Sequence, residues 1–191
     1  MHPCMDPRAR GGPRRPHFPL ILSLEPPVTD PTTTTDPTPA KAGIVHTVRE
    51  IEALIPHRWP MLLVDRIVEY DPDAKRIVGL KAVTATEWYF QGHFQGQPIM
   101  PGVLQVEALA QTMGVFVAQQ PGFGDRLGLF AAIDECRFKH IVTPGDQLRL
   151  EVTMERLGSK FGRGHGIATV DGEVACEAKL SFIIAPESAL R

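Results

Sequence analysis

The sequence predicts an α+β fold in which an antiparallel sheet is wrapped around one long buried helix. Three observations lead to it. From Val103 to Ala118 the chain reads VLQVEALAQTMGVFVA, apolar nearly all round, and a helix of that kind lies inside a core. Strand-like runs, two before that helix and four after it, are rich in apolar and β-branched residues. Turn chemistry divides them, above all Asp171-Gly172, a dipeptide that favours a tight hairpin. One buried helix with antiparallel strands around it is an α+β layer arrangement.

The first 43 residues differ in kind from the rest and hold ten of the 18 prolines. They also carry Arg8, Arg10, Arg14 and Arg15 and the tract Thr32 to Thr35, and such a segment buries too little apolar surface to fold alone. The reading is therefore a disordered tail over 1–43 and one folded domain over 44–191. Leu20 to Leu24 is too short for a signal-peptide core. The arginines and hydroxyls suit a transit peptide, but Asp6, Glu25, Asp30 and Asp36 count against one. A tail without catalytic importance, or an over-long start, fits better.

Within the domain, Val48 to Ile55 reads as a short helix stopped by Pro56. Leu62 to Tyr70 and Arg76 to Thr84 read as a hairpin about Asp71-Pro72-Asp73. Pro101-Gly102 opens the long helix, because proline suits a first turn where its missing N–H is not needed. After a loop from Pro121 to Asp125, four strands are expected: Gly128 to Val142, Gln147 to Leu157, Phe161 to Val170 and Glu173 to Ile184.

Composition narrows the function. A net charge of −2 argues against nucleic acid as main partner, and no stretch approaches the ~20 apolar residues of a membrane span. Cys4, Cys136 and Cys176 fit neither a zinc spacing nor a disulfide framework, which points to a reducing cytoplasm. No histidine pair stands at metal-ligand spacing and no glycine-rich phosphate loop follows a strand. No metal and no cofactor are expected.

The chemistry concentrates in FQGHFQGQPIMPGVLQVEALAQ, Phe90 to Gln111. His93 lies in a loop dense with glycine and proline. Glu107 follows fourteen residues later, in the second turn of the apolar helix. Apolar surroundings raise a carboxyl pKa and keep it protonated near neutral pH, where it can act as a general acid. An imidazole, a carboxyl group and a helix N-terminus at Gly102 are three parts of an acid–base site. Each has a plainer reading alone: a packed histidine, or a glutamate favoured by the macrodipole.

This segment resembles the active-site motif of the (3R)-hydroxyacyl-[acyl-carrier-protein] dehydratases of type II fatty acid synthesis. Three further stretches resemble that family in order: IPHRWPMLLVDRI (Ile55 to Ile67), RFKHIVTPGDQL (Arg137 to Leu148) and ATVDGEVACEAKLSF (Ala168 to Phe182). The resemblance implies that His93 is the catalytic base, Glu107 the catalytic acid and the Gly102 N–H the oxyanion donor. Glutamate at 107, where the dehydratase–isomerase subfamily has aspartate, favours the plain dehydratase. The resemblance also implies a hotdog fold and a homodimer, alone or as a trimer of dimers, with His93 of one subunit facing Glu107 of the other. The substrate would arrive on acyl carrier protein. That carrier is acidic, so Arg137, Lys139, Lys160 and Arg163 are candidate docking residues.

The chain departs from the family at Gln95 and Ile141, where proline is usual, and at Leu129, near which some members place a gating tyrosine. His57, Arg58 and Trp59 read as structural. Two other functions stay open: a hotdog thioesterase, which would not need an imidazole facing the carboxyl, and a non-catalytic acyl-binding module. A hydratase acting on CoA esters shares the chemistry. A chain beginning near Gly43 is expected to keep both solubility and specific activity. A large loss of either, measured on the purified truncation, would show that the tail packs on the domain.

Overall fold

The computed structural model describes residues 45–124 and 126–186, so the segment read as a disordered tail lies outside the described residues, as does Asp125. The chain forms helix α1 (Val48–Leu54), strands β1 (Arg66–Asp71) and β2 (Arg76–Ala82), and helix α2 (Gly102–Ala118). Strands β3 (Arg126–Phe138), β4 (Gln147–Leu157), β5 (Phe161–Val170) and β6 (Glu173–Pro186) follow. All six strands make one antiparallel sheet in the order β1-β2-β4-β5-β6-β3. β3 therefore lies at the far edge from β1, and α2 carries the chain across the sheet between β2 and β3.

α1 is started by Thr47, whose N–H and hydroxyl both donate to the Glu50 carboxylate (2.6 and 2.8 Å), a capping arrangement that satisfies a helix-end donor. α2 buries ten residues, including Val106, Leu109, Met113 and Phe116. The sheet meets it closely through β5, whose sequence FGRGHGI places Gly162, Gly164 and Gly166 on one face. A Cβ at Gly166 would lie 3.1 Å from Leu109, and one at Gly164 would lie 2.8 Å from Met113 and 2.9 Å from the Thr153 carbonyl. A Cβ at Gly162 would fall 2.3 Å from the Phe182 ring. Side chains of α2 and β6 fill the space that a β-branched strand would occupy.

Three strands are shorter than the sequence suggested, and β2 ends at Ala82, not Thr84. β1 begins at Arg66, not Leu62. Leu63 and Val64 are apolar because they are core residues, and the Leu63 N–H turns to the Gln111 side chain (2.8 Å). β3 ends at Phe138, not Val142, because the N–H groups of Lys139 and His140 converge on the one carbonyl of Ala175 (2.8 and 3.4 Å). Lys139 thus lies past the strand that was expected to align it with Arg137.

Gly164→Val is expected to destabilise the fold by about 1–3 kcal/mol, the usual cost of overpacking. The new side chain would meet the backbone of β4 as well as Met113. Chemical denaturation would read it, and an unchanged midpoint would show that α2 does not rest on the bare strand.

Candidate active site

His93 is held by a loop that closes on itself. A buried ion pair of Lys81 with Glu87 fixes the entry to a 3-10 helix, Trp88–Gln91, and the His93 N–H then bonds the Tyr89 carbonyl (2.9 Å). The Ile99 N–H donates to the His93 carbonyl (3.0 Å), and His93 Nδ1 donates to the Ile99 carbonyl (2.8 Å). A carbonyl oxygen only accepts, so Nδ1 carries the proton and the neutral ring keeps its lone pair on Nε2. Phe94 and Gln97 exchange backbone bonds (3.1 Å each) around Gly96, whose φ of +77° suits glycine. These bonds close the loop although Gln95 stands where the resembled family has proline.

Gly102 is the first residue of α2. A Cβ there would lie 2.7 Å from the Phe138 ring, so the ring at the end of β3 requires glycine at this turn. Pro101 offers no side chain to cap the helix, and no described residue accepts from the Gly102 N–H. That donor stands at the positive end of the helix.

Glu107 lines a cavity of about 250 Å³. One side of the cavity is the face of α2 from Glu107 to Ala118, another is β3 from Arg126 to Phe130, and Leu180, Phe182 and Ile184 of β6 form the floor. Leu129, where a gate was in question, is one of the walls. The carboxylate is one-fifth exposed. Gln111, one turn on and 1% exposed, donates through Nε2 to Glu107 Oε1 (2.9 Å) and to the Met61 carbonyl (2.6 Å). Its Oε1 accepts from the Leu63 N–H (2.8 Å). A backbone donor and a backbone acceptor thus fix which way the amide points. It presents N–H to Glu107, so Oε1 of the carboxyl is the accepting oxygen, and no described residue donates to Oε2.

The structure brings a further residue to this carboxyl. His57 also lines the cavity, with Nε2 3.4 Å from Glu107 Oε1. The sequence reading had assigned His57 to the scaffold. Glu107 and Gln111, four apart on one helix, share a face, and that spacing was a legible sign of a supported carboxyl. His57 lies fifty residues upstream in a proline-bracketed loop, and nothing local distinguishes it. His93 is not among the described residues that line this cavity.

The candidate docking residues are largely paired within the chain. Arg137 and Lys139 both reach Glu177 (3.8 and 2.9 Å), and Arg163 lies between Asp134 and Glu155 (3.5 and 3.3 Å). Lys160 is exposed at the turn between β4 and β5.

A six-stranded antiparallel sheet around a central buried helix, with a glutamate at a mostly apolar cavity, defines a hotdog-fold protein. The FabA-like domain model matches residues 55–179. The 3-hydroxyacyl-[acyl-carrier-protein] dehydratase FabZ of Bacillus pumilus is 56% identical over 139 residues, which cover 73% of this chain and 96% of that one. The FabZ of Bacillus thuringiensis is 56% identical over 137 residues, covering 72% and 94%. A structure titled the dehydratase heterocomplex ApeI:P, from Xenorhabdus doucetiae, superposes with a TM-score of 0.62 over 73% of this chain and 93% of that one, and at 19% identity shows the shared fold. The chain belongs to the FabA-like family, as a dehydratase of the FabZ type.

Proposed function

We propose that this chain dehydrates (3R)-hydroxyacyl-acyl carrier protein to the trans-2-enoyl thioester in fatty acid elongation, with His93 as base and Glu107 as acid. The observation that carries the reading is the orientation of the two groups. His93 keeps its proton on Nδ1 and offers Nε2 as a base, while Gln111 donates to Oε1 of Glu107 and no described residue bonds Oε2. The reading takes the first as the proton acceptor and the second as the proton donor.

His93 Nε2 takes a proton from C2. The C2–H electrons become the C2=C3 bond as the C3–O bond breaks. The hydroxyl leaves with the proton of Glu107 Oε2, as water. Negative charge that gathers on the thioester oxygen is met by the Gly102 N–H, and losing one such donor typically costs about 10²–10³ in rate. The apolar cavity along α2 receives the acyl chain.

The two groups come from different subunits in this reading: His93 of one and Glu107 of the partner subunit. β3 supports it. This edge strand has thirteen residues and one neighbour, β6, and it exposes Leu129, Phe130 and Ile133 by 41%, 46% and 47%. An exposed apolar edge is a template for pairing with another chain. Joining two copies there would place the second beside the cavity that β3 walls. The acidic carrier would approach Lys160 and the partly neutralised Arg137, Lys139 and Arg163. The proposed setting is the cytoplasm, consistent with the free thiols of Cys136 and Cys176.

His93→Ala and Glu107→Gln are each expected to fold and bind substrate but to lose turnover, His93→Ala with loss of hydrogen exchange at C2. The assay follows enoyl product and free thiol together from hydroxyacyl-carrier thioesters of several lengths. Free thiol without enoyl product would identify a thioesterase, and Glu107→Gln activity within about tenfold of the unmutated protein would remove Glu107 from the acid role.

A hybrid dimer of one His93→Ala and one Glu107→Gln subunit holds one site with both native residues and one with neither. Co-expressed with different tags and purified, it is expected to recover roughly half of native turnover per dimer. An assembled hybrid as inactive as its parents would place both residues in one subunit's site.

A further inference from the structure

We infer that His57 is a positioning residue for Glu107: its Nε2 faces Oε1, and its N–H comes to donate there as negative charge appears when Oε2 gives up its proton. The inference rests on the acid role proposed for Glu107 and adds the group that makes that role effective.

Four observations support it. His57 Nε2 lies 3.4 Å from Oε1, the same oxygen that accepts from Gln111. Both nitrogens thus meet the one oxygen onto which charge is delocalised as the proton leaves Oε2. The other ring nitrogen, Nδ1, is buried without a hydrogen-bond partner among the described residues. A buried orphan N–H is rarer than an under-satisfied acceptor, so the lone pair belongs on Nδ1 and the proton on Nε2, facing Glu107. The loop is fixed, because Arg58 Nη1 donates to the carbonyls of Ile55 and His57 itself (2.8 and 2.7 Å). The next residues, Met61 and Leu63, are the two backbone anchors of Gln111. One short segment, 57–63, therefore orients both donors.

The separation of 3.4 Å is long for a hydrogen bond in the resting protein. Such contacts tighten as charge develops, so the interaction favours the transition state over the ground state.

The test separates this role from packing by using two amides. The side-chain nitrogen of glutamine reaches the place of Nε2, whereas that of asparagine reaches only the place of Nδ1. His57→Gln is expected to keep kcat within about threefold. His57→Asn and His57→Ala are expected to lose about 10–100-fold in kcat with KM little changed, the range for a hydrogen bond to a charged group. Thermal unfolding of each variant checks the fold, and if His57→Ala does not fold, the glutamine–asparagine comparison decides alone. Equal kcat for glutamine and asparagine, or a loss seen only in KM or in unfolding temperature, overturns the inference. Glu107→Gln is run beside them. If it keeps turnover, the acid role itself fails. If it is inactive while His57→Asn matches the unmutated protein, only the part given to His57 fails.

Discussion

Helix α2 packs on a strand that turns Gly164 and Gly166 toward it, and the geometry of the site follows from that contact. Gly164 and Gly166 let Met113 and Leu109 approach to distances that a Cβ would forbid. With that face of the helix committed to the sheet, the face bearing Glu107, Gln111 and Gly114 is turned toward the cavity, whose far wall is β3. A polar side chain in such a position is tolerated only if its hydrogen bonds are met. Segment 57–63 meets them, donating and accepting at Gln111 and placing His57 beside the carboxyl. Packing between helix and strand thus decides which residues can do chemistry, and a distant loop decides how they are held.

Much of this was legible in the sequence. The limits of α2, β4 and β5 follow from an unbroken apolar run and from turn residues at fixed places. The features that were misread depend on contacts between distant segments. Leu63 looks like strand because it is apolar, yet its N–H bonds α2 and not the sheet. Lys139 looks like a neighbour of Arg137 on one strand face, yet the ladder has ended by then. The basic residues proposed for docking are countable in the sequence, but their carboxylate partners, Glu177, Asp134 and Glu155, become visible only with the register of β3, β5 and β6. His57 belongs to the same class. A histidine between two prolines has no periodicity to betray it, and its meaning arises from an approach across fifty residues of chain.

The outer face of the sheet is organised differently. Arg76 grips Glu151 through two bonds of 2.9 Å and reaches Glu69, while Arg149 joins the same two carboxylates. These guanidinium contacts hold the Glu151 carboxyl down at about 2. Being depressed, it contributes stability that is present above the ordinary carboxylate range and is lost as the pH falls toward that value. The network spans β1, β2 and β4, on the side of the sheet away from α2, and is part of the scaffold.

The order of strands in space also sets the order in which the site comes into being. Chains are made from the N-terminus, and β3 leaves the ribosome well before β6, its one strand partner among the described residues. Until the last strand is synthesised, the wall formed by residues 126–130 has nothing to bond to, and the floor of Leu180, Phe182 and Ile184 does not yet exist. His93, Gly102 and Glu107 are made early, on elements that the first hairpin and α2 can begin to order. The cavity that Glu107 lines is closed by β6, Glu173–Pro186. A nascent chain stalled before Glu173 would carry His93 and Glu107 without the cavity that β6 completes.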